Sequence, residues 1–353
     1  MPNETDQKGQ AAPAGLPGAG RLRSSRELLS GRAIGLAMSA AVLFALLAAR
    51  SSSFLSQYTM LVISRQMGFF AIVALAQAVC LVVGGMNLSV GAIGSITTVI
   101  LGLCLDNWGM SGWLAVPVVL AAGCAAGAVN GLLITRLRID SFIVTLSMMF
   151  VYRGLRSGIS GGNPYAVPDS FTIVGQGKIF GVPYFFLIML VVLVVVAYMY
   201  RNTVFGRRML ATGGNEDAAR LSGIRTDRMI LGANVLSGLF AALAAVLYAS
   251  ELGSAAPETG DSWLIVSFAV AIIGGTGLNG GVISALGILM GGIIYTLIRH
   301  GLIEIKANPY YMNVYLGLLI LLAIAIDRGR EIYGQRKRQT PDTAAEPTEP
   351  HSD

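Results

Sequence analysis

The sequence predicts an all-α integral membrane protein with about ten transmembrane helices and Gly-rich interruptions. Three observations carry this. Hydrophobic residues make up 54% of the 353 and charged residues only 12%, about half the roughly 25% usual in soluble domains. Mean hydropathy is +0.67, so a water-soluble globule of this composition could not cover itself. The apolar residues gather into ten runs between two polar tails, and most of the 44 Gly lie inside those runs, where small residues let membrane helices approach closely.

In chain order, residues 1–32 are polar, small and basic, too polar to open a signal peptide. They read as a disordered cytoplasmic tail. The apolar runs follow at 33–49, 67–83, 89–105, 113–135, 141–158, 181–200, 229–250, 262–275, 282–299 and 311–326. A spanning helix needs about 20 apolar residues, with ~17 as a lower limit. The fifth run is the short one: its core is Ile143–Tyr152, and Arg153 and Arg156 follow. Charge decides how to count it. If it spans, 33–327 is one transmembrane domain with both tails cytoplasmic, and 18 of the 25 Lys and Arg lie on the inner side. If it does not, the six arginines from Arg201 to Arg228 fall outside, against the positive-inside rule. The fifth run is therefore read as spanning, as a tilted or broken helix. Residues 328–353 form the second cytoplasmic tail, without an apolar face to bury.

The same sequence excludes several chemistries. It has no Gly-x-x-x-x-Gly-Lys-Ser/Thr loop, no His-Glu-x-x-His, no Gly-x-Ser-x-Gly and no Cys-x-x-Cys. Residues 275–280 match Gly-x-Gly-x-x-Gly, but they join two apolar runs rather than a strand and a helix, so they do not read as a dinucleotide site. Cys80, Cys104 and Cys124 are dispersed in apolar runs, and two His are too few for a metal centre. The net charge of +6 sits in tails and at the ends of runs, which fits a lipid bilayer and not a nucleic acid. An enzyme is not expected, and neither is a metal.

Polar residues inside apolar runs are candidates for function because lipid makes them costly. Here they are neutral and sparse, and no run contains a charged pair. Such a path suits a neutral, hydroxyl-rich solute and an external energy source. Residues 84–94 (GGMNLSVGAIG) and 274–284 (GGTGLNGGVIS) echo each other. Paired glycine interruptions either mark a transport path or are similar turns between membrane helices. On the first reading the path carries Gly85, Asn87, Ser89, Thr145, Gly275 and Asn279.

The basic loop 203–228 holds one more signal. Asn215 can cap a short helix, Glu216 and Asp217 suit its first turn, and Gly223 suits its left-handed end. Ala218, Ala219 and Leu221 form a small apolar face, with Arg220 and Ser222 beside it. The segment Gly214 to Gly223 is either a plain surface helix or one that presses into a partner's groove.

These residues also carry a resemblance. GGMNLSVGAIGS at 84–95 resembles the Gly-Gly-Ile-Asp-Leu-Ser-Val-Gly signature of ribose-type sugar permeases of ABC importers. NGLLITRLRIDSFIVTLSMMFVYRGL at 130–155, TVFGRRMLATGGNEDAARLSGI at 203–224, IIGGTGLNGGVISALGILMGG at 272–292 and AIAID at 323–327 are similar to later blocks of that family, in order. The resemblance implies a multi-pass permease of the bacterial cytoplasmic (inner) membrane, delivering a monosaccharide or related polyol. It implies three protein partners: a cytoplasmic ABC ATPase docking on 214–223, a periplasmic sugar-binding protein, and a second permease copy or paralogue. No cofactor belongs to the chain itself, since ATP is bound by the ATPase. In that family the binding protein makes most of the substrate selection. Three departures stand out: Asn87 where Asp is usual, Asp140-Ser141 in place of a common Pro-Pro, and Arg299-His300 ahead of Gly301-Leu302. The competing readings are a branched-chain amino acid permease of the same importer class and a stand-alone secondary transporter. The Gly-Gly-Met-Asn-Leu-Ser-Val-Gly form favours sugar.

Overall fold

The computed structural model describes residues 21–50 and 54–311, with residues 313–315, 317, 318 and 321 beyond them. Among the described residues the chain is almost wholly helical. Helix α1 is Arg21–Arg50, α2 Gln57–Val82, α3 Val90–Gly102, α4 Gly112–Leu137, α5 Ser141–Ser160 and α6 Asp169–Gln176. Then come α7 Tyr184–Asn202, α8 Val204–Gly214, α9 Glu216–Leu221, α10 Thr226–Leu252, α11 Trp263–Ile273 and α12 Ala285–Glu304. A π-turn at Leu103–Asn107 extends α3.

Nine of the ten apolar runs coincide with helices; the tenth, 311–326, lies largely outside the described residues. Among the described residues, six spans are long and apolar enough to cross a membrane: 57–82, 90–107, 112–137, 184–202, 226–252 and 285–304. The others differ for physical reasons. Helix α1 starts at Arg21, inside the stretch read as a tail, and its apolar part is Ile34–Arg50. Helix α5 is an unbroken 20-residue helix, so the run is neither short nor broken, but its arginines lower its apolar character. Helix α11 has only 11 residues, about 16 Å at 1.5 Å per residue. Gly275 ends it at φ +82°, a conformation glycine adopts without steric cost.

Helix α2 is the central pillar. Ser56 caps it, its Oγ accepting from Thr59 N–H at 3.2 Å, and every residue from Gly68 to Val82 is buried. Helices α3, α7, α10, α11 and α12 pack around it. The tightest pair is α4 with α10. Gly123, Gly127 and Gly131 recur every fourth residue on α4 and lie on the α10 backbone at Gly238, Asn234 and Leu231. A β-carbon at Gly127 would collide with the Asn234 carbonyl. This spacing brings backbones close enough for dispersion and weak hydrogen bonds to hold membrane helices together.

The chain between α5 and α7 and the chain after α10 meet at one end of the bundle. Strand β1 (Tyr165–Ala166) pairs antiparallel with β4 (Ser254–Ala255), Tyr165 opposite Ala255. A second ribbon pairs β2 (Lys178–Ile179) with β3 (Val182–Pro183). From β4 the chain enters the bundle as a 3-10 turn, Pro257–Gly260, whose Gly260 is buried against the backbone of Gly91 on α3. Besides this turn, two Gly-rich breaks interrupt the helices, one between α2 and α3 and one between α11 and α12.

Candidate functional site

The break between α2 and α3 is held by a buried polar knot. Asn87 is fully buried. Its Oδ1 accepts from Ser89 N–H at 2.9 Å and from Ser89 Oγ at 2.6 Å, and its Nδ2 donates to Ser237 Oγ on α10 at 2.9 Å. Asn130 on α4 donates to Ser89 Oγ at 2.7 Å. Tyr152 on α5 reaches Asn130 Oδ1 at 3.1 Å and the Ala126 carbonyl at 2.9 Å. With its amide oriented to match, Gln77 on α2 bridges the C=O and N–H of Asn87 at 2.8 and 3.3 Å. Two side chains at the start of α5 take the remaining backbone donors: Ser141 Oγ accepts from Met86 N–H at 3.1 Å, and Thr145 Oγ1 from Leu88 N–H at 3.1 Å. Backbone freed by a helix break must find partners inside the protein when no water is at hand, and here side chains from four helices, α2, α4, α5 and α10, build the knot.

The second break, between α11 and α12, meets the first. Gly281 N–H donates to the carbonyl of Val82, the last residue of α2, at 2.8 Å. Gly213, near the end of α8, lies between them. A β-carbon there would collide with the Val82 carbonyl and stand 2.7 Å from Gly281 N. One at Gly280 would stand 2.6 Å from the Gly213 carbonyl and 3.0 Å from Gly84 N. Three glycine segments thus touch backbone to backbone. Beside this junction opens a cavity of about 480 Å³ lined by Gly84, Gly85, Met86, Ser141, Asn234, Glu216, Arg220 and Asp227.

The α8–α9 turn folds as its residues dictate. Asn215 Oδ1 accepts from Ala218 N–H at 2.9 Å. Glu216 and Arg220 pair at 2.7 Å one turn apart, and Gly223 takes φ +79°. The apolar face divides, however. Leu221 is 90% exposed, whereas Ala219 is 5% exposed and packs inward. In a six-residue helix only one side is free, so Ala219 supports the turn and Leu221, with Ala218 and Asp217, faces outward.

Of the six residues read as a path, the structure brings Asn87, Ser89 and Thr145 into one buried knot, leaves Gly85 and Gly275 half-buried, and exposes Asn279 on the second break. The expectation of no charged pair concerned pairs within one run; the structure adds a charged pair between α5 and the turn ahead of α11. Arg156 on α5, 8% exposed, donates from Nη1 to Ser95 Oγ at 2.8 Å and to the Pro257 carbonyl at 2.7 Å. Its Nη2 pairs with Asp261 at 2.9 Å, and Arg153 Nε lies 3.5 Å from the same carboxylate. The partners are 105 residues apart, so no single run could reveal them.

A family model described as the permease component of branched-chain amino acid transport systems matches residues 59–324. The ribose import permease protein of Bacillus subtilis is 33% identical over 279 residues, 78% of this chain and 86% of that protein. The galactose/methyl galactoside import permease protein of Haemophilus influenzae is 32% identical, covering 81% of this chain and 91% of its own length. The fructose import permease protein of Rhizobium meliloti is 31% identical, over 78% and 79%. The chain belongs to this permease family. No solved structure matches the permease. It is a multi-pass protein of the inner membrane, a transport component, and the matched stretch takes in both glycine breaks, the α8–α9 turn and the Arg156 pair.

Proposed function

We propose that this permease is the membrane-spanning subunit of an ABC importer carrying a monosaccharide or related polyol. The observation that supports it best is the set of relatives. Proteins 31–33% identical over about four fifths of the chain are ribose, galactose and fructose import permeases. The permease works with a cytoplasmic ATPase, an extracytoplasmic sugar-binding protein, and a second permease copy or paralogue. The segment 214–223, with Leu221 outward, is the coupling helix that seats in the ATPase. The polypeptide crosses the membrane ten times with both termini cytoplasmic, a topology supported by the distribution of Lys and Arg.

The two glycine breaks flank the solute route in this reading. Gly85, Gly275 and Asn279 are its accessible members, while Asn87, Ser89 and Thr145 fix the shape of the first break. Substrate delivery in proteoliposomes tests the proposal. The permease is reconstituted with its ATPase and sugar-binding partner and ATP inside, and uptake of labelled D-ribose, D-galactose, D-fructose and L-leucine is compared. ATP-dependent uptake of a sugar is expected. Uptake of leucine alone would overturn the sugar assignment in favour of the branched-chain amino acid description of the family model.

A further inference from the structure

We propose that the groove where α4, α8 and α10 meet binds an anionic phospholipid, its phosphodiester held by Arg208, Arg225 and Arg228 and an acyl chain laid over Leu132 and Leu231. This goes beyond the importer assignment and holds whatever solute is carried.

Two adjoining cavities build the groove. One, of about 240 Å³, is lined by Arg208 of α8, by Gly223, and by Arg225, Arg228 and Met229 at the start of α10. The other, of about 600 Å³, shares Gly223, Arg225 and Arg228 and continues over Arg136, Leu132 and Leu231. Arg136, Arg208, Arg225 and Arg228 are all exposed. Among the described residues none of the four has a side-chain hydrogen bond or an ion partner. Arg220, which also lines the larger cavity, is tied to Glu216 at 2.7 Å and to Thr226 Oγ1 at 3.2 Å. Four free guanidiniums therefore face one lining carboxylate, Asp227.

The two long helices place these cations at the level of lipid headgroups. Helices α4 and α10 are antiparallel, with Gly131 against Leu231, and both are membrane-length spans. They have 26 and 27 residues, about 40 Å at 1.5 Å per residue, so their ends project from a hydrocarbon core of about 30 Å. The only cations on either helix, Arg136 and Arg228, lie in the turns at this shared end, and Arg225 immediately precedes α10. Leu132 stands one turn before Arg136 and Leu231 one turn after Arg228, each on its arginine's face and toward the interior of the span. Leu132 is 43% exposed and Leu231 half-buried.

That order, cations outside and leucines inside, is the order of an amphiphile. A guanidinium fork matches two phosphate oxygens. The excess of positive charge favours an anionic headgroup over a zwitterionic one, whose amine would meet the same arginines. A water-soluble partner can reach the arginines but not the leucines one turn deeper, where an acyl chain or another membrane helix lies.

The test titrates the full-length permease, purified in detergent, with phosphatidylglycerol labelled on its acyl chain. Saturable binding is expected, with unlabelled phosphatidylcholine competing at least tenfold less well than unlabelled phosphatidylglycerol. Arg225→Gln together with Arg228→Gln should weaken binding about tenfold or more, and Arg208→Gln, on a separate helix, about fivefold. Arg201→Gln together with Arg207→Gln should change nothing, because these equally exposed arginines line neither cavity. Leu132→Gln should weaken lipid binding too, and millimolar inorganic phosphate should not displace the lipid. Equal losses in the two double variants would overturn the site in favour of diffuse attraction to a basic surface. Displacement by inorganic phosphate with Leu132→Gln unchanged would overturn it in favour of a free-phosphate pocket. Absence of saturable binding would also overturn it, and would place the groove against the second permease copy or the ATPase.

Discussion

Replacing Asn87 by Leu, of nearly the same size, tests whether the polar knot holds the first break. The change removes three hydrogen bonds: to Ser89 N–H, to Ser89 Oγ and to Ser237. Ser237 can turn its hydroxyl, but the Ser89 N–H and O–H lose their acceptor in a fully buried place. Each stranded donor costs about 1–3 kcal/mol, so the loss is about 2–6 kcal/mol. A kilocalorie shifts the unfolding midpoint by roughly 2–4 °C in a chain of this order, which predicts a fall of roughly 5–20 °C. The three cysteines supply the assay. Cys80 and Cys104 are buried and Cys124 partly so, so a thiol-reactive dye reports unfolding of the purified protein in detergent. Asn87→Asp is the paired control: it keeps both acceptor bonds, and Ser237 can donate to the carboxylate, so its midpoint should fall less. An Asn87→Leu midpoint within about 2 °C of wild type, smaller than one stranded donor allows, would refute the reasoning.

Leu221→Asp, at an exposed position, should leave the midpoint unchanged while ATPase co-purification drops about tenfold or more, as loss of an interface anchor does. Ala219→Trp should instead lower the midpoint, because the added ring must enter a packed interior; equal behaviour of the two variants would contradict the division of this helix into two faces. Reporter fusions at each end should show both termini in the cytoplasm, and an external C-terminus would mean an odd number of spans. The purified chain alone should hydrolyse no ATP, and turnover without the partner subunit would remove it from the importer class.

Local chemistry was legible in the sequence, and long-range chemistry was not. Asn215 announced its cap and Gly223 its left-handed turn, because each needs only neighbours within one helical turn. The glycine breaks were visible as interruptions of apolar runs. What the breaks do was hidden: the acceptors for Met86 and Leu88 come from Ser141 and Thr145, and the partner of Asn87 is Ser237. The two faces of α9 were hidden as well, since Ala219 and Leu221 differ only in what the rest of the fold sets beside them. Arg153 and Arg156 read as a blemish on the fifth run until Asp261 stood next to them.

The meeting of Gly84, Gly213 and Gly280–Gly281 has a mechanical consequence. Elsewhere helices touch through side chains, which can change rotamer and absorb a shift of a few tenths of an ångström. Here no side chain lies between α8, the end of α2 and the second break, so the joint has almost no compliance. A push delivered to α9 travels through α8 into Val82 and Gly281 undamped, and both interruptions move with it as one lever.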